Sequence, residues 1–429
     1  MPAKGGYSME KQQTTVATLS GKQIAAVVAG NALEFYDFLI FGFFAVQIGA
    51  VFFPVKDATN SLLLTLMIFG VGFLTRPLGG ALIGPLGDRI GRKPAMLLSF
   101  GLMGFSIVGL ALTPSYASIG VAAPILLVLF RLVQGFAVGG EVGPSTAFLM
   151  EAAPADKRAS YVSLQFASQQ AATLAFGIVG MLLANLLSPE DYIAWGWRVG
   201  MLLGAAVVPL ALVIRRNLPE TLSQTERTSR PKLTRAEIRL ALLTLLVLAS
   251  GTISSYVLIN INLFVTTILG LSPAQAAGAA AIGGGSAMIF SPIGGWLSDR
   301  FGRKPLMIVP FGLLCLVGLP CFHAMAQART PSVVYLAVAL MASLLAMGLP
   351  AIMTLVSEGL PPRVRSGGIG IIYAIAIAVF GGTASFVVTW LTKVTGSPLA
   401  PAVYMCGALA LGVCCMFALR ETAPVKTGD

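Results

Sequence analysis

The amino-acid sequence predicts an all-helical membrane protein whose twelve spanning helices form two related six-helix halves. Three observations lead to this prediction: the composition, the length of the apolar segments, and a charged motif that occurs twice. Of the 429 residues, 56% are hydrophobic and only 10% are charged, whereas about 25% of the residues in a soluble domain are charged. The apolar segments reach the length of about 20 residues that a helix needs to cross a bilayer.

We predict helices rather than strands for these segments, because lipid cannot satisfy the polar groups of an unpaired backbone. The segments also lack the alternating pattern of a membrane barrel strand. Numbered in chain order, the twelve predicted helices lie at 22–52, 61–86, 94–113, 122–150, 159–187, 195–215, 240–269, 273–298, 305–325, 332–358, 366–393 and 399–420.

A charged motif follows predicted helix 2 and occurs again after helix 8. The two copies span 84–94 and 295–305, and they are identical at most positions, including an Asp-Arg pair and a Gly-Arg-Lys-Pro run. Such a repeat indicates two related halves, which is typical of secondary transporters with a binding site between the halves. A polar, basic segment at 216–236 is the predicted cytoplasmic linker between an N-terminal bundle at 1–215 and a C-terminal bundle at 237–429.

Basic residues are concentrated on one side of the predicted helices. The two tails and the even-numbered loops contain 22 of the 28 Lys and Arg residues. The positive-inside rule therefore predicts cytoplasmic termini in a multi-pass protein of the plasma membrane, which in bacteria is the inner membrane. Short basic loops beside anionic lipid explain the net charge of +11, so we expect no nucleic-acid partner. The four basic residues of the opposite side are Lys56, Arg198, Arg329 and Lys393.

Ionisable residues inside a membrane are costly and usually face a cavity or a partner. Five of them lie about 13–22 Å inside their predicted helix ends, as counted from the helical rise per residue. The second half can offer mainly neutral polar groups, because 240–298 and 366–392 contain no Asp, Glu, Lys, Arg or His. The five ionisable residues are all in the first half: Glu34, Asp37, Arg76, Arg131 and Glu141.

Glu34 and Asp37 are three residues apart and therefore lie near one another on helix 1. Two carboxylates at low dielectric constant are suited to reversible protonation. We expect Glu34, Asp37 and Glu141 to couple an ion, although packing among glycines is the simpler interpretation of Glu141. The alternative for Glu34 and Asp37 is a static ion pair with Arg131. The one histidine, His323, lies near a helix end and excludes a histidine relay.

Arg131 and Arg76 are the two predicted cations at the membrane midplane. A guanidinium binds carboxylate oxygens in bidentate geometry and keeps its charge, so the pair predicts an anionic ligand. Each has a structural alternative, which is an ion pair for Arg131 and a kink or gate beside Pro77 for Arg76. The predicted substrate-binding residues are Arg131, Arg76, Asn31, Gln134, Gln165, Gln169, Asn260, Tyr256, Thr354 and Tyr373.

The two copies of the charged motif suggest a mechanical role. Asp88 ends helix 2 and Asp299 ends helix 8, where each can meet an arginine and the positive N-terminus of a helix from the other half. We expect such contacts to close the cytoplasmic side in one state and to break in another. The alternative is a basic loop that only sets the orientation. The predicted gate residues are Asp88, Arg89, Arg92, Asp299, Arg300, Arg303, Glu151 and Glu358.

The motif after helices 2 and 8 resembles the signature of the major facilitator superfamily, and the resemblance covers the whole chain. Within that superfamily, several segments are similar to the metabolite–proton symporter family. Residues 165–170 and 380–383 are similar to its citrate–proton symporters, whereas 260–264 in helix 7 departs from the family pattern. The family-like segments are Gly30–Phe38, Gly72–Gly80, Arg131–Gly143 and Trp195–Arg198.

The resemblance implies a secondary active transporter with two bundles and alternating access, which couples protons to the uptake of citrate or a related tricarboxylate. Alternative substrates are a dicarboxylate, 2-oxoglutarate, an aromatic acid, or a zwitterion such as betaine or proline. Sodium stays open as the coupled ion, since a carboxylate together with the Asn31 oxygen could hold it. We expect no cofactor, and a protein that functions as a monomer in the lipid bilayer.

Other classes of function have less support in the sequence. We find no phosphate-binding loop, no zinc-protease motif and no nucleophile elbow. We therefore predict that the protein is not an enzyme. A channel and a ligand-sensing receptor stay open, although neither explains why the charged motif is duplicated.

Overall fold

The computed structural model describes residues 21–90, 92–139, 149, 153–205, 235–359 and 372–427. Side chains are described for 28–83, 97–139, 149, 153–205, 238–359 and 372–427. The described residues form helices and connecting turns without any strand, and each of the twelve predicted helices is helical over its described part. The predicted all-helical fold is therefore confirmed.

Helix 1 is interrupted by a 57° bend between its two parts, and helix 2 is interrupted at Thr75. Three short helical pieces, Tyr116–Ile119, Ala155–Lys157 and Pro189–Asp191, connect the longer helices. The first six helices are Gly21–Phe43 with Ala45–Phe52, Ala58–Leu74 with Arg76–Ile90, Arg92–Leu112, Ala122–Val138, Arg158–Leu186, and a sixth that begins with the π-helical turn Tyr192–Gly196 and is helical to 205.

The second six helices repeat this arrangement. Helix 7 is interrupted at Asn260, and a short helix, Pro424–Thr427, follows the last spanning helix. Helices 7 to 12 are Arg235–Ile259 with Ile261–Thr267, Pro273–Phe301, Arg303–Ala328, Pro331–Gly359, a helix at 372–395 that contains the π-helical turn Ala376–Gly381 and Gly382–Thr395, and Ala400–Ala418.

Local sequence explains where these helices begin and turn. Ser272 and Gln275 form a reciprocal capping box at the start of helix 8, with Pro273 at the first helical position. Gly302 separates helices 8 and 9 with a φ of 105°, a left-handed conformation that favours glycine. The outer surfaces of the helices expose large apolar side chains such as Leu316 and Leu336, as expected of surfaces that face lipid.

The two halves meet chiefly where helix 5 packs along helix 8. Small residues allow close approach: a Cβ at Gly284 would lie 2.5 Å from the Leu174 nitrogen, and a Cβ at Gly295 would lie 2.6 Å from the Ala159 carbonyl oxygen. Such contacts between small residues are the usual means of close helix packing in membranes. The two halves are therefore packed closely against each other along helices 5 and 8.

The bundle has two chemically different ends. We call the end that carries Asp299 and Arg303 the basic end, which the charge distribution predicts to be cytoplasmic. We call the other the outer end, where Asp57 and Lys393 lie. At the outer end, Asn262 of helix 7 donates a hydrogen bond to the Phe43 carbonyl of helix 1 at 2.8 Å. Both ends thus contain contacts between the halves.

Candidate functional site

A small cavity of about 60 Å³ lies between the halves and is called the central cavity. Helices from both halves line it, including helices 1, 5, 7, 10 and 11. Three of the predicted binding residues are among its walls: Gln169, Tyr256 and Tyr373. The Gln169 side chain lies against the Tyr373 hydroxyl and thereby joins helix 5 to helix 11. The lining combines amide and hydroxyl groups with aromatic rings. The volume is below the roughly 300–1,000 Å³ of most small-molecule sites, so a ligand as large as citrate requires the cavity to widen.

Arg76 is not among the residues that line this cavity, but it lies near two residues that do, Tyr256 and Tyr373. Its guanidinium carbon is 4.2 Å from the centre of the Phe38 ring and 4.6 Å from that of Phe73. Glu34, Tyr256 and Tyr373 are all within its electrostatic range. The buried Nε of Arg76 has no hydrogen-bond partner among the described residues. An unsatisfied buried donor is costly, and an anion in the cavity would supply the acceptor.

Arg131 has a different environment, although it lies at a similar predicted depth and its Nε, like that of Arg76, has no hydrogen-bond partner among the described residues. Its guanidinium is fully buried and donates to the Gln134 side chain at 2.6 Å and to the Phe38 and Phe69 carbonyls at 3.3 and 3.1 Å. The rings of Phe38, Phe41 and Phe69 surround it. The sequence places Arg131 and Gln134 in the anion site, whereas in the structure both side chains bond to groups of the first half: Arg131 to Gln134 and two backbone carbonyls, and Gln134 also to the Asp37 carbonyl.

The two carboxylates of helix 1 point to different neighbours. Glu34 lies within electrostatic range of Arg76 and Tyr373, at the central cavity. Asp37 is buried against Gly204 of helix 6, and its Oδ1 accepts no hydrogen bond from the described residues. A separation of three residues leaves about 60° between side chains, which is enough to send them to different helices. The predicted carboxylate pair is therefore split between the cavity and the interior of the first half.

Asn31 and Gln165 take part in hydrogen bonds between two helices of the first half. The Asn31 amide donates to the Ser168 hydroxyl at 2.8 Å and to the Gln165 carbonyl at 3.2 Å. These bonds join helix 1 to helix 5. Neither Asn31 nor Gln165 is among the residues that line the central cavity. The observed contacts of Asn31 are between helices, and its predicted contact with substrate, like that of Gln165, stays a prediction.

The basic end holds a buried cluster of charges. Asp299 of helix 8 accepts hydrogen bonds from the Ala159 and Ser160 amides at 3.0 and 2.8 Å, at the first turn of helix 5. It also accepts from Arg303 at 2.6 Å. The positive end of helix 5 and an arginine thus share one carboxylate that crosses between the halves. The contact expected of Asp299 is present in the structure.

Further charges extend this cluster. Arg303 also contacts Glu358 of helix 10 at 3.2 Å, and Arg158 of helix 5 approaches Glu358 at 3.6 Å. We call Asp299, Arg303, Glu358 and Arg158 the basic-end network. Beside it, Glu421 accepts from the backbone amides of Arg303 and Lys304, both at 2.9 Å. Burial acts to raise the pKa of Glu421, but its backbone hydrogen bonds hold that pKa below the usual value.

Comparison with known proteins identifies the family. A family model described as Major Facilitator Superfamily matches residues 35–376 and 240–428. The chain belongs to the Major Facilitator Superfamily. It is 34% identical over 394 residues to the citrate-proton symporter of Salmonella typhi, covering 90% of this chain and 91% of that relative. It is 32% identical over 371 residues to the alpha-ketoglutarate permease of Escherichia coli (strain K12), covering 85% of each chain.

Other similar proteins handle different compounds. The proline/betaine transporter of Salmonella typhimurium is 30% identical over 430 residues, with 94% of this chain and 85% of the relative covered. Among solved structures, the xylose transporter of E. coli in a partially occluded inward open conformation has a TM-score of 0.76 at 20% identity, covering 94% of this chain and 98% of that one, which shows the shared fold. This superfamily member is a multi-pass transporter of the bacterial inner membrane and not an enzyme.

The polar residues predicted in the second half of this superfamily member have mixed positions. Thr354 is fully buried and donates to the Pro350 carbonyl of its own helix at 2.8 Å. Asn260 lies at the interruption of helix 7, nearer the outer end, and donates to Ser385 at 2.9 Å. Neither lines the central cavity. A polar residue in an apolar helix can satisfy itself on the preceding turn, so polarity alone does not locate a binding site.

Several cavity residues were not predicted from the sequence. Phe35, Phe166 and Thr252 line the central cavity, together with apolar residues of helix 10. Thr252 lies four residues before Tyr256, so helical spacing could have identified it. The two phenylalanines gave no comparable signal, because aromatic residues are common on packed and lipid-facing surfaces alike.

The remaining predicted gate residues differ in how far the structure describes them. Arg300 is exposed and lies 5.7 Å from the Trp296 and Phe301 rings, outside the basic-end network. Its expected gate contact is absent among the described residues, because the helix turns it outward. Glu141 and Glu151 lie outside the described residues, as do the side chains of Asp88, Arg89 and Arg92.

Proposed function

We propose that this transporter is a proton-coupled symporter of a small organic anion, with citrate or a related tricarboxylate as the substrate. The observation that carries the proposal is Arg76, a buried cation within electrostatic range of the cavity residues Tyr256 and Tyr373, whose Nε has no hydrogen-bond partner among the described residues. A substrate carboxylate would supply the missing acceptor in a charge-assisted hydrogen bond. The similarity to citrate-proton symporters over most of the chain supports this choice of substrate.

Glu34 gives the proposal a route for coupling. A carboxylate bound at Arg76 would place a second negative charge near Glu34, since both lie within range of that arginine. Proton uptake by Glu34 would relieve the repulsion between them. Binding of substrate and binding of a proton would then favour each other, which is the requirement for symport. We propose the proton as the coupled ion, and find no cluster of acidic residues suited to a metal ion among the described residues.

We further propose alternating access between an N-terminal bundle at 1–215 and a C-terminal bundle at 237–429, which 216–236 links at the cytoplasmic side. The basic-end network would close the cytoplasmic side, because Asp299 and Arg158 both reach across the halves. We also propose that both termini are cytoplasmic. One chain contains both halves of the site. We therefore propose that the monomer is the functional unit.

A second candidate substrate is a zwitterion such as betaine or proline. The specific observation in its favour is the aromatic lining of the central cavity by Phe35, Phe166, Tyr256 and Tyr373. Aromatic faces attract quaternary ammonium groups. The carboxylate of a zwitterion could also bind Arg76. The two candidate substrates therefore have the same predicted contact with Arg76 and differ in the chemical group that would contact the aromatic side chains.

The test is thermal stabilisation of the purified protein by citrate, 2-oxoglutarate and betaine, at two pH values, with and without sodium. We expect citrate to raise the melting temperature of the wild type most, and Arg76→Ala to abolish this increase. Arg131→Ala is the matched comparison, and should melt earlier even without ligand because it removes three buried hydrogen bonds, to the Gln134 side chain and to the Phe38 and Phe69 carbonyls.

Citrate stabilisation of Arg76→Ala as large as that of the wild type would contradict the proposed anchor. Stabilisation by betaine alone would favour the second candidate. Stabilisation that requires sodium at both pH values would contradict proton coupling.

A further inference from the structure

A second and larger cavity of about 590 Å³ lies at the outer end, and we call it the outer vestibule. Its walls come from helix 7, helix 11 and the start of helix 2, with hydroxyl and amide groups at Thr59, Asn260, Thr267, Ser385 and Thr392. Sites for small molecules commonly have volumes of about 300–1,000 Å³. The outer vestibule is therefore large enough to hold a small organic ligand.

The outer vestibule and the central cavity have one lining residue in common. Tyr256 lines both. Its ring packs 5.8 Å from the centre of the Phe73 ring, and a Cβ at Gly381 would lie 2.7 Å from it. Since Tyr256 is wedged between helix 2 and helix 11, a ligand in the vestibule would lie directly outside the central cavity.

The charged residues that line the outer vestibule are both cations. They are Arg329, in the turn after helix 9, and Lys393, near the end of helix 11. No Asp or Glu is among the described residues that line it. The Arg329 Nε donates a hydrogen bond to the Ala326 carbonyl at 3.3 Å. The two terminal guanidinium nitrogens can donate to other acceptors. Arg329 therefore offers donors to an anion in the vestibule.

Lys393 also joins the two halves. Its ammonium contacts Asp57 at 2.5 Å and Asn60 at 2.7 Å, both in the first half at the start of helix 2. The Lys393 and Asp57 side chains are 37% and 45% exposed, so a ligand in water can reach the pair. The side-chain hydrogen bond with Lys393, together with the amide of Thr59, holds the pKa of Asp57 below its usual value. Asp57 is therefore charged at neutral pH.

We propose that the outer vestibule binds a small di- or tricarboxylate before the central cavity does, at Arg329 and Lys393. The incoming carboxylate competes with Asp57 for Lys393. Binding in the vestibule thus loosens the contact between helices 2 and 11 on either side of Tyr256. This inference rests on the proposed function, because it assigns an entry site to the same anionic substrate.

The experiment measures citrate uptake from the outer side by protein of known orientation in liposomes, at low and at high salt. At low salt we expect Lys393→Gln and Arg329→Gln each to raise the half-saturating outside concentration by about fivefold to tenfold, because each removes one nearby charge. The difference should shrink at high salt through screening. Lys393→Arg should restore most of the affinity.

Two further variants serve as controls. One removes a positive charge, as Lys393→Gln and Arg329→Gln do, and the other removes a negative charge. Lys56→Gln removes one positive charge from the same surface, but Lys56 does not line the vestibule, so uptake should be unchanged. Asp57→Asn frees Lys393 and should lower the half-saturating concentration. Half-saturation from the cytoplasmic side should be the same in every variant, because the entry site is used only from outside.

If the wild type transports citrate and Lys393→Gln and Arg329→Gln behave like Lys56→Gln, the vestibule proposal is wrong and the proposed function stands. If no carboxylate is transported by the wild type, both proposals are overturned. An equal change of half-saturation from both sides would also overturn the vestibule proposal, since it would place the effect in the central site.

Discussion

The two ends of the bundle are joined by contacts of opposite character. At the basic end, the side chains of Arg303, Asp299 and Glu358 are only 1%, 8% and 5% exposed. At the outer end, Lys393 and Asp57 form a half-exposed pair. Removing one member of a buried network leaves an uncompensated charge and is costly, whereas an exposed pair contributes little. The difference suggests that the outer end opens more readily than the basic end.

The largest expected effect comes from Arg303→Ala. It would leave Asp299 and Glu358 buried without their shared partner, at a cost of about 3–5 kcal/mol in stability. We expect a clearly lower melting temperature and increased cysteine accessibility at the basic end. Arg300→Ala is the matched control, because it removes an exposed arginine from the same turn. Equal behaviour of the two variants would show that the basic-end network does not stabilise the protein.

Asp299→Asn should have the next largest effect. It keeps the side-chain size but weakens the contact with the helix 5 N-terminus, which is worth up to about 2 kcal/mol. A balanced equilibrium would shift by more than tenfold toward the state open at the basic end. Cysteine labelling from each side measures the shift, with the exposed Asp156→Asn as control. Unchanged labelling with lost transport would mean that Asp299 acts through folding.

Asn262→Ala tests the neutral contact at the outer end. It removes the hydrogen bond to the Phe43 carbonyl, worth about 1 kcal/mol, and should modestly increase accessibility from outside. Asn185→Ala is the control, since the Asn185 amide bonds only within its own helix, to the Met181 carbonyl. A shift toward the state open at the basic end would reverse the proposed assignment of the two ends.

The smallest effect is expected from salt. High salt should weaken the exposed Lys393–Asp57 pair and leave the buried basic-end network almost unchanged. Accessibility at the outer end should therefore increase with salt, while accessibility at the basic end stays constant. Measurement of both ends in one titration gives an internal control. Equal sensitivity at the two ends would remove the contrast between them.

The fold was predictable because it depends on features that the sequence states directly. Segment length, low charge and the repeat of Asp88 and Asp299 at matching places indicate twelve helices in two halves. A contact of Asp299 with an arginine and with the N-terminus of a helix in the other half was also predictable, whereas only the structure shows that this helix is helix 5. Its role in gating stays a prediction.

The site was less predictable, because the rotation of each helix about its own axis is not fixed when most of its surface is apolar. Arg76 and Arg131 look equivalent in sequence, yet one lies near the central cavity and the other binds carbonyls inside the first half. The same holds for Glu34 and Asp37. Only tertiary packing, such as the approach of Gly204 to Asp37, decides which neighbour each side chain meets.

The interruptions of helices 1 and 7 occur at matching places in the two halves, at Phe44 and Asn260. Each leaves a short outer segment, Ala45–Phe52 or Ile261–Thr267, and a few residues at such an interruption can absorb the change of a hinge motion. Bending at an interruption leaves helix 5 packed along helix 8, whereas rocking a whole half must separate these two helices. We therefore expect the outer mouth to open by local bending before the halves move.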